Sequence, residues 1–201
     1  MEALIWPHGK KSSSTRPPTN PFALSRSKVA ALLMSGARLN AVPHIHPQLD
    51  TWRSNFKGVR TVHEATGFEL FGTIDDLWRD LGTNELIVVD YKATFKEADV
   101  TLDAAWQDGY KRQMEFYQWL LRRQGLAVAK RGWFVYCNGR RDLDAFDNRL
   151  EFRVKMIPYD GDDAWIEPVL LEIREMLDAP EAPAPGGDCE YCVFAEKAAS
   201  A

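Results

Sequence analysis

The chain has 201 residues, is 45% hydrophobic and 27% charged, and carries a formal net charge of −4, a composition that suits one compact domain with an irregular extension. A net negative charge argues against a protein that coats nucleic acid through bulk positive charge, although an enzyme can concentrate its basic residues locally. No apolar run approaches the roughly 18 residues that cross a bilayer, and the opening MEALIWPHGKKSSSTRPP lacks a secretory core, so a cytoplasmic protein without membrane contact is expected.

Residues 1–25 are rich in Ser, Pro, Thr and Lys without apolar periodicity, which predicts a disordered or loosely attached arm. Ser25 or Ser27 can cap a short helix running to about Ser35, with Val29, Leu32 and Leu33 as its stripe and Gly36 as its stop. Three strand patterns follow, Val59 to Glu64, Glu69 to Trp78 and Glu85 to Lys92, separated by ATG and DLGTN, and they read as an antiparallel meander. The third, ELIVVDYKA, is apolar almost throughout, as a central strand covered on both faces would be. From Ala104 to Arg123, Trp106, Tyr110, Met114, Tyr117 and Leu121 recur at helical spacing, and Gly125 stops the helix. RGWFVYCNG reads as a buried strand and LEFRVKMIPY as an alternating one. Asp163 to Leu177 reads as an amphipathic helix capped by Asp162 or Asp163. DAPEAPAPGGD is then a Pro/Gly linker to CEYCVF. The expected architecture is α/β, a central mixed sheet flanked by helices over residues 26–178, with the arm before it and a linker and CxxC tail over 179–201.

Asp75 follows FELFGTI and Asp90 follows ELIVV, so each carboxylate sits at the end of an otherwise apolar strand. A carboxylate brought towards a core must be paired, hydrogen-bonded or bound to metal, and Lys92 lies two positions after Asp90, on the same strand face. Phosphodiester hydrolysis needs a metal to neutralise phosphoryl oxygens, a nucleophilic water and support for the developing charge. Mg²⁺ or Mn²⁺ takes oxygen donors, for which Asp75, Asp90 and the backbone carbonyl of Tyr91 are suitable, and Lys92 would orient or help deprotonate the water. Gln113 and Tyr117 are four residues apart on one face of the long helix and can reach the same place. The bland alternative makes Asp90 and Lys92 a strand-end ion pair, Asp75 a cap on the turn at Asp76, and Tyr117 a core residue. Lys111, Arg112, Arg122, Arg123, Lys130, Arg131, Arg140 and Arg141 cluster in sequence, either as a basic patch or as a solvated face, while the segment after Asp160 is acidic.

The ordered set GTID, VVDYKAT and QMEFY resembles the RecB-like branch of the PD-(D/E)XK nuclease superfamily, which includes CRISPR-associated exonucleases and has a restriction-endonuclease-like core. There the motifs are written GxxD, DxK and QxxxY. The similarity runs from about Val59 to Tyr136, and TWRSNFKGVR, WQDGYKRQMEFYQWLL and IPYDGDDAW also look like an uncharacterised bacterial family of this superfamily. The resemblance implies that Asp75 and Asp90 are metal ligands, Lys92 the catalytic lysine, and Gln113 and Tyr117 its helix partners.

The chain departs from that branch in two ways. Members often carry an upstream helix with a histidine or acidic ligand, for which His44, His46, His63 and Glu64 are the available substitutes here. They also carry an N-terminal cysteine that joins C-terminal cysteines around an iron–sulfur cluster. This chain has only Cys137, Cys189 and Cys192, so CEYC supplies half of a four-ligand site, no intact cluster is expected, and a reducing compartment is the simpler setting. Cys137, inside a strand, reads as a small buried hydrophobe.

The function expected on these grounds is metal-dependent cleavage of DNA, from an end or on single strands. Two rivals remain: a nuclease-fold module that binds nucleic acid without cutting it, and an adaptor that docks a partner through Trp52, Trp78 and Trp165.

Overall fold

The computed structural model describes residues 39–140, 142, 148, 151–186 and 188–200. The expected N-terminal arm and the helix ending near Ser35 lie outside them. The chain divides into two units, 1–39 and 40–201, and every element below belongs to the second. Its elements are β1 (Ala41–Pro43), α1 (Leu49–Trp52), β2 (Val59–His63), β3 (Phe68–Gly72), β4 (Asp76–Asp80) and β5 (Leu86–Thr94). A single 3₁₀ turn (Ala105–Gln107), α2 (Asp108–Arg123), β6 (Arg131–Gly139), β7 (Phe152–Asp160), α3 (Ile166–Asp178) and α4 (Glu190–Ala199) follow. Among the described residues no helix is long and apolar enough to cross a membrane.

Five strands form one mixed sheet in the order β1-β4-β5-β6-β7, in which β5 and β6 are parallel and the other neighbours antiparallel. A parallel pair cannot be joined by a tight turn, and α2 makes the crossover, which lays it against the strands it connects. The α/β class and the central mixed sheet flanked by helices expected from sequence are therefore present. β5 occupies the middle, with Leu86, Ile87, Val88 and Val89 all buried, as its continuous apolar run requires. Met114, Leu120 and Leu121 of α2 are fully buried against it, with Phe134 of β6 in the same core.

The expected meander is split. Glu69 to Trp78 is not one strand: β3 pairs with β2 in a separate two-stranded sheet, whereas β4 joins the main sheet. Gly72 ends β3 where a side chain has no room, since a Cβ there would lie 2.8 Å from Tyr117 Cε1 and 2.9 Å from Leu120 Cδ1. Beyond it Ile74 is fully buried, its amide bonds the Trp52 carbonyl at 3.2 Å, and the Asp75 carbonyl accepts from Arg53 Nε at 2.7 Å. The backbone groups that would continue the β3 ladder are thus satisfied by the end of α1.

Other expectations shift by smaller amounts. The helix from Ala104 becomes the 3₁₀ turn followed by α2, and Trp106 leaves the apolar stripe to stand 57% exposed. Neither Asp162 nor Asp163 caps α3: the helix starts at Ile166, Asp163 Oδ2 pairs with Arg122 at 2.6 Å, and Asp162 Oδ1 accepts from the Ala164 amide. The tail holds a helix, α4, that the linker reading did not anticipate. Cys137 on β6 is half-buried rather than buried. Of the three Trp residues named for an adaptor surface, Trp52 and Trp78 are core residues, and Trp165 is 36% exposed with its indole N–H donated to Glu115 Oε2 at 2.7 Å. Part of the basic cluster meets the acidic stretch that begins at Asp160: Arg122 pairs with Asp163, Arg123 with Glu167 and Arg131 with Asp160.

Candidate active site

The site lies at the point where β4 begins beside β5. The last register pair is Asp76 with Val89, so one residue earlier Asp75 comes opposite Asp90. Opposed residues of an antiparallel pair share a face, which brings two carboxylates together on the side of the sheet covered by α2. Asp75 is anchored twice, its carbonyl by Arg53 Nε and its Oδ2 by the Tyr91 amide at 2.8 Å.

Asp90 is 4% exposed. Lys92 Nζ lies 2.7 Å from Asp90 Oδ2, but out of line for a hydrogen bond, so that buried oxygen has ionic company without a well-formed bond. Burial pushes the Asp90 carboxyl above the usual carboxylate range, the Asp75 charge adds to the rise, and Lys92 opposes it. Lys92 also donates to Gln113 Oε1 at 3.0 Å, and Gln113 Nε2 in turn donates to the Tyr117 hydroxyl at 2.8 Å. The Lys92 ammonium sits 4.3 Å above the Tyr110 ring. The Tyr117 hydroxyl is pushed up to about 12 by burial and by the charges of Asp90 and Asp75, so it stays protonated. The structure thus joins Asp90, Lys92, Gln113 and Tyr117 in one chain of contacts, with Asp75 beside it.

A family model described as the PD-(D/E)XK nuclease superfamily matches residues 3–196. The chain belongs to that superfamily. No curated protein and no solved structure matches it. The nuclease fold accounts for the placement just described: the end of one antiparallel strand and the end of its central neighbour meet under the crossover helix, and each contributes an acidic side chain.

Several residues that the sequence did not single out support this candidate site. Arg53, just after α1, pairs with Asp76, whose carboxylate also accepts from the Leu77 amide at 2.9 Å and the Tyr91 hydroxyl at 3.0 Å. Asp76 is thereby a saturated buried carboxylate on the opposite face of the sheet from Asp90. Tyr136 of β6 pairs in register with Lys92, and its buried hydroxyl has no partner of good geometry although Gln107 lies near. In the sequence only TWRSNF, which contains Arg53, and the adjacent Asp75 and Asp76 signal this arrangement, and neither states which aspartate faces which way.

The substitutes considered for an upstream ligand do not complete the pair. Among the described residues no three His, Cys, Asp or Glu side chains form a metal-binding group. His63 is taken by Glu167 Oε2 at 2.7 Å and Thr66 Oγ1 at 2.8 Å, and His46 stacks on Trp52. Glu64 is exposed at the end of the β2–β3 hairpin. The Cys189 and Cys192 thiols lie 2.8 Å apart at the start of α4, with Cys137 on β6 as the remaining cysteine.

The donors present fit a hard divalent ion. Asp75 and Asp90 supply oxygen only, and the buried Asp90 Oδ2 lacks a proper hydrogen bond in a place where burial opposes its charge, which a dication would relieve. Mg²⁺ is commonly held by one or two carboxylates with waters and substrate phosphates filling the rest, so a two-carboxylate set is enough for it.

Proposed function

We propose that the protein is a metal-dependent deoxyribonuclease of the RecB-like branch, cutting DNA from an end or on single strands in the cytoplasm. The observation that carries the reading is the pairing of Asp75 with a buried, under-bonded Asp90 whose only close cation is Lys92 among the described residues. Asp75, Asp90 and the Tyr91 carbonyl would hold Mg²⁺ or Mn²⁺. When bound, such an ion neutralises phosphoryl oxygens and lowers the pKa of water.

The chain's own groups would do the rest. Lys92, steered by Gln113 Oε1 and backed by the Tyr110 ring, presents its ammonium where the attacking water and the charged phosphate must meet. Gln113 fixes Lys92 through one end of its amide and is itself fixed through the other by Tyr117. Tyr117, held protonated by its surroundings, accepts from Gln113 Nε2 and does not act as a base. Asp75 is kept from swinging away by the Tyr91 amide.

The test is cleavage of end-labelled single-stranded and duplex DNA by wild type, Lys92→Ala and Asp75→Ala, with Mg²⁺ and with Mn²⁺. Either substitution is expected to lower the rate by about 10²–10⁴-fold. Wild type that leaves both DNAs intact with either ion removes the catalytic claim, and if it binds them as well as Lys92→Ala does, the binding-module reading takes its place.

A further inference from the structure

The catalytic lysine is the first member of a run of alternating cations and rings. Lys92 Nζ lies 4.3 Å over Tyr110, Tyr110 meets Trp106 edge to face with centroids 5.5 Å apart, and Lys96 Nζ lies 4.8 Å from the Trp106 centroid. The run leads from the candidate active site out to solvent.

Its outer end is rigidly built. The 3₁₀ turn that carries Trp106 is closed by Gln107, a residue only 3% exposed, whose side chain accepts from the Ala104 amide at 3.0 Å and donates to the Thr101 carbonyl at 2.6 Å. Val100 and Leu102 anchor the preceding segment in the core. Lys96 is fixed by Asn138, which accepts from the Lys96 amide and donates to the Lys96 carbonyl, both at 2.8 Å. The buried Gln107 side chain holds in place a turn whose indole is 57% exposed, and Asn138 holds the backbone of Lys96, with Phe95, 54% exposed, next to it. The part of the indole left in the open, beyond its contacts with Tyr110 and Lys96, offers an apolar face beside a cation.

We propose that Trp106 and Lys96 form a base-stacking subsite for unpaired nucleotides of the DNA strand that enters the site at Lys92. The proposal rests on the nuclease reading and names where that nuclease grips its substrate. Every base has a face that stacks on an indole, and in a duplex that face is already covered by its neighbours, so the subsite selects single strands and frayed ends. The Lys96 ammonium beside the ring serves the phosphate that follows the stacked base, and Tyr110 continues the track to Lys92.

The experiment is fluorescence anisotropy of labelled (dT)₁₂ and of a blunt duplex hairpin, titrated with the full chain in EDTA so that hydrolysis plays no part. Trp106→Ala is expected to weaken (dT)₁₂ binding about tenfold and duplex binding less than twofold, while Trp106→Phe keeps most of the affinity. Lys96→Ala, which leaves the backbone bonds to Asn138 intact, is expected to reduce the salt slope of log K for (dT)₁₂ by about 0.7. Trp106→Ala binding (dT)₁₂ like wild type, or losing equally on both probes, overturns the subsite. A subsite refuted in this way while wild type still cuts DNA leaves the nuclease reading standing, and a stacking effect in a protein that never cuts leaves the subsite and removes the nuclease.

Discussion

Removing the Arg53 guanidinium tests the physical basis of the site without touching a metal donor. In the native chain Asp76 shares its charge with Arg53, the Leu77 amide and the Tyr91 hydroxyl, at side-chain exposures of 15% for Arg53 and 5% for Asp76. Burial, followed by the Asp76 charge, pushes the Tyr91 hydroxyl above its ordinary range, so it remains a donor. In Arg53→Met the carboxylate stays buried with two neutral donors, and breaking a buried pair from one side costs about 3–5 kcal/mol. The two remaining bonds put the expected loss near the lower end, and the Asp75 carbonyl, left without Arg53, adds about 1 kcal/mol. Against a total stability of ~5–15 kcal/mol the variant should still fold, unfolding at markedly lower urea. Its Mn²⁺ affinity by calorimetry should fall about 10- to 100-fold, because Asp75 loses the group that holds its backbone. The double variant Arg53→Met/Asp76→Leu should regain most of the stability, since no buried charge is left uncompensated, but not the Mn²⁺ affinity. A single variant within about 1 kcal/mol of wild type, or a double variant no more stable than the single, would refute the reasoning.

Two further outcomes follow from the same geometry. Since the folded Asp90 carboxyl titrates above its ordinary 3.8, protonation favours the fold, and that contribution is present below 3.8 and lost as pH rises through the raised value. In EDTA, Asp90→Asn should therefore melt above wild type near neutral pH, with the gap closing on acidification, whereas a gap that widens towards acid would contradict the burial argument. His63, 4% exposed and bonded to Thr66 and Glu167, is a structural residue on this reading. His63→Ala should lower the melting temperature yet leave the Mn²⁺ titration unchanged, and loss of Mn²⁺ binding would show that it is a ligand after all.

The parts of the fold that were legible in sequence are those whose cause is local. β5 declares itself because a strand covered on both faces must be apolar throughout, and α2 because one face of a 3.6-residue period must be. The split between β3 and β4 was not legible, since the groups that end the ladder come from Trp52 and Arg53, some twenty residues earlier. The basic cluster and the acidic segment after Asp160 were both visible, but that Arg122 and Arg123 meet Asp163 and Glu167 depends on the tertiary fold, which brings the end of α2 to the start of α3. Likewise Trp106 fitted a helical stripe by spacing alone, and only the 3₁₀ turn ahead of α2 rotates it out to solvent.

The two adjacent aspartates show how the same chemistry is given opposite roles. Asp75 and Asp76 differ by one position, and along an extended chain one position reverses the face. Asp76 falls on the Tyr91 side, where a guanidinium, an amide and a hydroxyl absorb its charge and leave no oxygen for a ligand. Asp75 falls on the Asp90 side, where the Tyr91 amide steadies one oxygen and the two carboxylates lie close enough for the charge of Asp75 to raise the Asp90 carboxyl. The saturated aspartate fixes the start of β4, and a fixed start of β4 is what keeps the unsaturated one opposite Asp90. Exchanging which of the two is saturated would move the negative charge to the face that α2 does not cover, away from Lys92, Gln113 and Tyr117. A one-residue deletion at Thr73 that lets β4 slip should for this reason abolish Mn²⁺ binding even if the protein remains folded, and retained binding in a folded deletion variant would show that the register of β4 does not set the site.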